Sequence, residues 1–180
     1  MIFLDPDPAH FEPKGRDAFE MLSAGNPRIL AIAFARAGGG YRLAVADAAF
    51  LPRRRRPNGL SDGFMLFEEG SLEIASRRLR IRFDYTRGHT SFLFRWQAGS
   101  LRLIGYDSAG ASGGCIRTLS ANFLTRRAKL TAGPIESDAA QVRWVALDAA
   151  APPALAAIGE GEAFDVDALL AGERPSCGDR

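Results

Sequence analysis

In RLRIRFDYTRGHTSFLFRWQAGSLRLIGYD, Arg78 to Asp107, apolar and polar residues alternate through three successive runs. In the first run Leu79, Ile81, Phe83 and Tyr85 share one side, while Arg80, Arg82 and Asp84 share the other. Successive side chains of an extended chain project to opposite faces, so a period of two marks half-buried antiparallel strands with one wet face. Phe92, Phe94 and Trp96 fall on one face of the second run, and Leu101 and Leu103 on one face of the third, with Gly105 as a gap. The linkers TRGH and QAGS have the length and glycine content of hairpin loops. Aromatic residues gathered on one face of a sheet form a core, which predicts Phe83, Phe92, Phe94 and Trp96 inside. Tyr85 and Tyr106 stand near strand ends and are expected to reach the surface, where they offer a stacking platform for a ligand.

Downstream, SGGCIRTLSANFLT predicts a strand near Ile116 to Leu124, TRRA a turn into KLTAG, and QVRWVAL (Gln141 to Leu147) the last strand. Upstream, RILAIAFAR (Arg28 to Arg36) is apolar on both faces and reads as interior to a sheet; AGGG then turns the chain into YRLAVAD. Phe50 to Gly63, with two prolines and NGLSDG, reads as a long loop. The start of the chain, rich in Pro6, Pro8 and Pro13, reads as irregular, with Asp17 capping a short helix that Gly25 and Pro27 stop. Beyond Asp148 the Ala- and Pro-rich composition predicts two short helices, one after Pro152 and Pro153 and one opening near Asp165 and ended by Gly172. The expected fold is mainly β: an antiparallel meander of roughly seven strands, as a sheet or a partly open barrel or sandwich. A short N-terminal helix and one or two short C-terminal helices complete it. Residues 1–27 form the irregular start, 28–147 the β core and 148–180 the tail of one domain.

At 180 residues, with 47% hydrophobic and 24% charged residues, the chain is long enough to bury a core without staples and has the composition of a soluble globular protein. No apolar stretch is long enough to span a bilayer. A net charge of +2 argues against a nucleic-acid binder acting through bulk charge. The local exception is the run Arg53, Arg54, Arg55 and Arg56 between Pro52 and Pro57, a solvated loop or a patch for phosphate or an acidic partner. Cys115 and Cys177 lie far apart and in no metal-ligand spacing; they form one bridge tying the tail to the loop after the aromatic ribbon, or stay as two thiols. The first residues, MIFLDPDPAHF, do not read as a signal peptide.

Material for catalysis is thin. His10 lies in the Pro-rich start and His89 at a predicted hairpin tip, both reading as exposed polar residues. Cys115 with His89 as base, or a carboxylate pair, would make a hydrolase. Asp5 and Asp7 lack the glycine and distal glutamate of a calcium loop, and AGGG and SAGASGG follow neither dinucleotide nor Walker spacing. No cofactor or metal is expected. Function is expected instead on loops: Arg53 to Asn58, and the small-residue loop Ser108 to Gly114, with Ser108, Ser112 and Gly113 at its surface.

FLFRWQAGSLRLIGYD and NFLT, within a match running from about Arg28 to Leu130, resemble a set of uncharacterised bacterial exported β-rich proteins. In these an F-R-(W/Y)-x-x-G-x-(F/L)-x-L-I-G-(Y) hairpin precedes an N-(F/Y)-L-T-G strand and turn. Such proteins often carry an Asp-rich loop of the FG-GAP kind upstream and cysteines in the long loop. Here the former is absent or degraded and Arg53 to Arg56 replace the latter, so metal binding is not implied. The resemblance implies a mostly β fold and a periplasmic or secreted location, with a cytoplasmic one as the alternative. The expected function is non-enzymatic binding of a protein or cell-envelope component; a hydrolase using Cys115 or a carboxylate pair is the alternative.

Overall fold

The computed structural model describes residues 29–51 and 71–177. The short N-terminal helix expected after Asp17 and the loop carrying Arg53 to Arg56 lie outside the described residues. Two compact units make up the chain, one containing residues 29–51 and Ala156–Phe164, the other 71–155 and 165–177. Both are built from antiparallel β-sheet that does not close into a barrel.

In the first unit β1 (Leu30–Ala35) and β2 (Tyr41–Asp47) form a two-stranded hairpin, so β1 is not the interior strand its apolar composition suggested. Gly39 and Gly40 turn the chain with φ of 91° and 74°, a region open to glycine without steric cost. Val45 faces Ile32 and Leu43 faces Ala33, leaving Ala44 as an extra residue that bulges β2. The Asp47 carboxylate then accepts the Ala49 and Phe50 N–H groups, and Phe50 is fully buried, its carbonyl taking the Gly161 N–H.

The second unit is a seven-stranded meander in sequence order: β3 (Leu72–Ala75), β4 (Arg78–Tyr85), β5 (Gly88–Gln97), β6 (Ser100–Ser112), β7 (Cys115–Asn122), β8 (Arg127–Pro134) and β9 (Gln141–Ala146). Three of its hairpins close with two residues at positive φ, Ser76–Arg77, Ala98–Gly99 and Gly113–Gly114, the turn whose twist matches that of the strands it joins. The β7–β8 connection uses a side chain: Asn122 Oδ1 accepts the Leu124 and Thr125 N–H groups, while Phe123 is buried. NFLT is therefore the end of a strand and its turn, so the strand expected to reach Leu124 stops at Asn122.

One face of this sheet is the core. Leu79, Ile81 and Phe83 on β4 stand beside Phe94, Phe92 and Thr90 on β5, and β7 and β8 continue the layer with Leu119, Ala121, Ala128 and Leu130. Phe92 sits at its centre, edge-on to Phe83 at 5.7 Å and to Tyr106 at 5.0 Å, and parallel to Phe94 at 6.2 Å. Phe83, Phe92 and Phe94 are buried as predicted, whereas Trp96 is only half-buried.

The register of β6 slips where it meets β5. Leu93 faces Gly105 but Phe94 faces Leu103, so Ile104 is an inserted bulge residue. An unbroken alternation from Leu101 and Leu103 would carry Gly105 inward and Tyr106 outward. The bulge shifts the phase by one, and Tyr106 becomes a core residue with 6% exposure. Its expected place at the surface is corrected on that ground.

The C-terminal region holds no α-helix among the described residues; single 3-10 turns at Leu155–Ala157, Gly161–Ala163 and Asp167–Leu169 stand where helices were expected. Three residues cannot accumulate enough helical hydrogen bonds to persist alone, and the segment uses its backbone on the sheet instead. Leu103 N–H donates to the Pro153 carbonyl and Ala154 bridges Arg102, occupying the side of β6 that β7 does not reach. The tail then crosses the core face. Leu170 bridges Leu147, Ala171 N–H donates to Ala146, Arg143 holds the Glu173 carbonyl, and Val166 and Pro175 are buried. It ends in a disulfide between Cys177 and Cys115, with Cα atoms 6.0 Å apart. No helix among the described residues is long and apolar enough to cross a membrane.

Candidate functional site

The residues expected to form a loop at Ser108 to Gly114 are mostly strand. Small residues permit this as readily as a loop: β6 runs through Ser112, pairing Ser108 with Leu119 and Ser112 with Cys115, and only Gly113 and Gly114 turn. Gly113 and Ser112 are exposed at that tip, and Ser108 is half-buried on the core face. His89 is likewise inside β5, opposite Asp84, while the tip of its hairpin is Thr86–Arg87.

Tyr85, Tyr106 and Ser108 do converge, along the rim of the core face beneath the tail. Tyr85 is 38% exposed, its hydroxyl 3.0 Å from Thr90 Oγ1. Burial pushes the Tyr106 phenol up to about 12, with Tyr85 adding to the rise and a hydrogen bond with the Ser108 side chain opposing it. Asp167 and Arg174 of the tail reach the same phenol electrostatically, and they form a bidentate pair at 2.7 and 2.8 Å. In this cluster Tyr85 bonds Thr90, Tyr106 bonds Ser108, and Arg174 bonds Asp167 within the tail, so the tail meets the phenols through charge.

Both cysteines are consumed in the bridge, so Cys115 has no thiolate and cannot act as a nucleophile in this state. Among the described residues no three His, Cys, Asp or Glu side chains gather to hold a metal.

The second face of the meander is polar, exposed at Arg78, Arg80, Lys129 and Trp144, half-buried at Arg95 and Arg102, and buried at Ser91. Across β4, β5 and β6, Arg78 stands opposite Arg95 and Arg95 opposite Arg102, three arginines in one cross-strand row, with the Arg95 guanidinium against the Gln97 amide and that of Arg102 3.3 Å from the Pro152 carbonyl. One row on, Arg80 is 3.1 Å from Glu73, and beyond it Arg82 clasps Asp84 through three contacts of 2.7 to 3.0 Å. The Arg82 guanidinium holds the Asp84 carboxyl below its usual range, and neighbouring His89 adds to that lowering. At the far side Trp144 is 56% exposed, with the Arg127 guanidinium 5.0 Å over its ring and Lys129 as its direct partner on β8. Between these groups the face is low, with Gly105 beside Asn122 and Ala109 beside Thr118, whose hydroxyl is 2.6 Å from that of Thr131. Alternation placed Arg80 and Arg82 on a wet face, but the alignment of basic residues from separate strands depends on register. No known protein family, curated protein or solved structure matches this chain.

Proposed function

We propose that this chain is an exported β-rich domain that binds a protein or cell-envelope component and carries out no chemistry of its own. The Cys115–Cys177 bridge is the observation that carries the reading, because disulfides persist in oxidising compartments and are rare in the cytosol. A tail stapled across the core face and a polar second sheet face, exposed at Arg78, Arg80, Lys129 and Trp144, suit a rigid binding platform. The resemblance of FLFRWQAGSLRLIGYD and NFLT to exported bacterial proteins points the same way.

The test is the state of the two cysteines in the cell of origin. Free thiols are trapped by rapid alkylation at lysis, and the intact protein is weighed before and after reduction. The bridge alone, in an extracytoplasmic fraction, is the expected result; alkylated Cys115 and Cys177 in a cytoplasmic fraction would overturn the reading.

A further inference from the structure

The outer face of the meander concentrates charge that the chain as a whole does not have. Seven basic side chains project from it: the arginine row, Arg80 and Arg82, and Arg127 and Lys129. Among the described residues Glu73, Asp84 and Asp107 are the acids on that face, which gives an excess of four positive charges there in a chain of net charge +2. Glu73 and Asp84 are already engaged by Arg80 and Arg82. That leaves Arg78, Arg95, Arg102, Arg127 and Lys129 with no ion pair among the described residues.

Like charges directly opposite on neighbouring strands destabilise a sheet, and this face carries two such pairings in succession, Arg78 with Arg95 and Arg95 with Arg102. An anion lying on the row turns that repulsion into paired contacts, since guanidinium forks match carboxylate and sulfate oxygens. From β4 to β9 the strands span roughly 24 Å at their usual spacing. A linear polymer crossing them meets the arginine row, the low Gly105–Asn122 saddle, and then Arg127, Lys129 and the exposed Trp144 ring. Sugar rings stack on such an indole, and Arg127 already lies against its face.

We propose that this face binds an acidic polysaccharide, a repeating polymer of sugar rings bearing carboxylate or sulfate groups. The claim rests on the exported reading, which it deepens by naming the surface and the class of partner. Single-stranded nucleic acid fits less well, because it is held by a series of aromatic residues for successive bases. This face presents Trp144 as its one exposed aromatic among the described residues.

The experiment measures binding of the purified, oxidised chain to polygalacturonate, dextran sulfate, neutral dextran and a single-stranded oligonucleotide by affinity electrophoresis at fixed salt. The double variant Arg78→Gln/Arg95→Gln leaves the Arg102 bond to the Pro152 carbonyl intact. The control, Arg36→Gln/Arg42→Gln, removes the same charge from the β1–β2 hairpin, where both arginines are exposed. Both acidic glycans bind and neutral dextran does not; the row variant loses about tenfold in affinity and the control less than about threefold, as for contacts that release counterions locally. Trp144→Ala weakens polygalacturonate binding further. The row variant keeps or raises Tm because like-charge contact is relieved, which separates lost binding from lost folding.

Equal losses in both double variants would reduce the effect to bulk charge and overturn the proposal. So would failure of either acidic glycan to bind, or tighter binding of the oligonucleotide, which would assign the face to nucleic acid. Absent glycan binding with the cellular disulfide intact refutes this surface alone. Reduced cysteines in the cell refute the exported reading, whatever the polymers do in solution.

Discussion

Breaking the Cys115–Cys177 bridge releases the far end of a tail that is otherwise held by a few backbone bonds to β9 and one to Arg143. The two residues are 62 apart in sequence. In the chain-entropy account, closing a loop of that length in the unfolded chain removes about 14 cal/mol/K, or about 4 kcal/mol at 25 °C. For a chain of this size that corresponds to a fall in Tm of roughly 8 to 16 °C. Cys115 is 3% exposed at the start of β7, so alanine in place of both cysteines is the mildest perturbation of the packing. The assay compares urea unfolding of the oxidised protein with that of Cys115→Ala/Cys177→Ala, checked against the parent in reductant. A loss of about 4 kcal/mol is expected, with a larger m-value because the uncrosslinked unfolded chain exposes more surface. A loss below about 1 kcal/mol would refute the reasoning, since the bridge would then constrain little in the unfolded state.

Other consequences follow from the same sheet. Tyr106 has a phenol raised to about 12 in the folded protein against an ordinary 10, so the folded state binds the proton more tightly. Stability is complete below about pH 10 and declines toward pH 12, by about 1.4 kcal/mol at pH 11; urea unfolding at pH 9 and 11 shows the decline, and Tyr106→Phe removes it. Phe92→Ala, which empties the centre of the aromatic layer, costs about 3 to 5 kcal/mol by the same measurement; a cost under about 1 kcal/mol would contradict the packing. Gly88→Ala drives a Cβ into the Ala109 carbonyl oxygen across the sheet, whereas at its partner Gly110 a Cβ meets only the Arg87 carbonyl oxygen at 3.8 Å. The former lowers stability by at least about 2 kcal/mol and the latter is near neutral, as expected of a clash with backbone against open space.

Alternation in β4 and β5 was written in the sequence because each of those strands has one wet face, and a period of two follows directly from the pleat. The same logic announced the meander and the buried Phe83, Phe92 and Phe94, and glycine content marked the turn at Ala98–Gly99, whereas Ser108 to Gly114, expected as a loop, is strand as far as Ser112. The four-residue β3 was silent, since its hairpin turns on Ser76–Arg77, two residues that seldom adopt positive φ. The C-terminal composition misled because Ala-rich segments favour helix locally, while backbone bonds to β6 and β9 hold this one extended.

Two decisions belonged to the tertiary structure. The bulge at Ile104 changes the phase of one strand by a single residue and moves Tyr106 from the surface to the core; no local propensity encodes it, because it is fixed by pairing against β5. The bridge was one of two open alternatives, and the convergence of Tyr85, Tyr106 and Ser108 beneath a stapled tail required the chain to return across the sheet. The basic row across Arg78, Arg95 and Arg102 is of the same kind. Each arginine is legible as a wet-face residue of its own strand, but their alignment depends on the register between strands, which a linear sequence does not state.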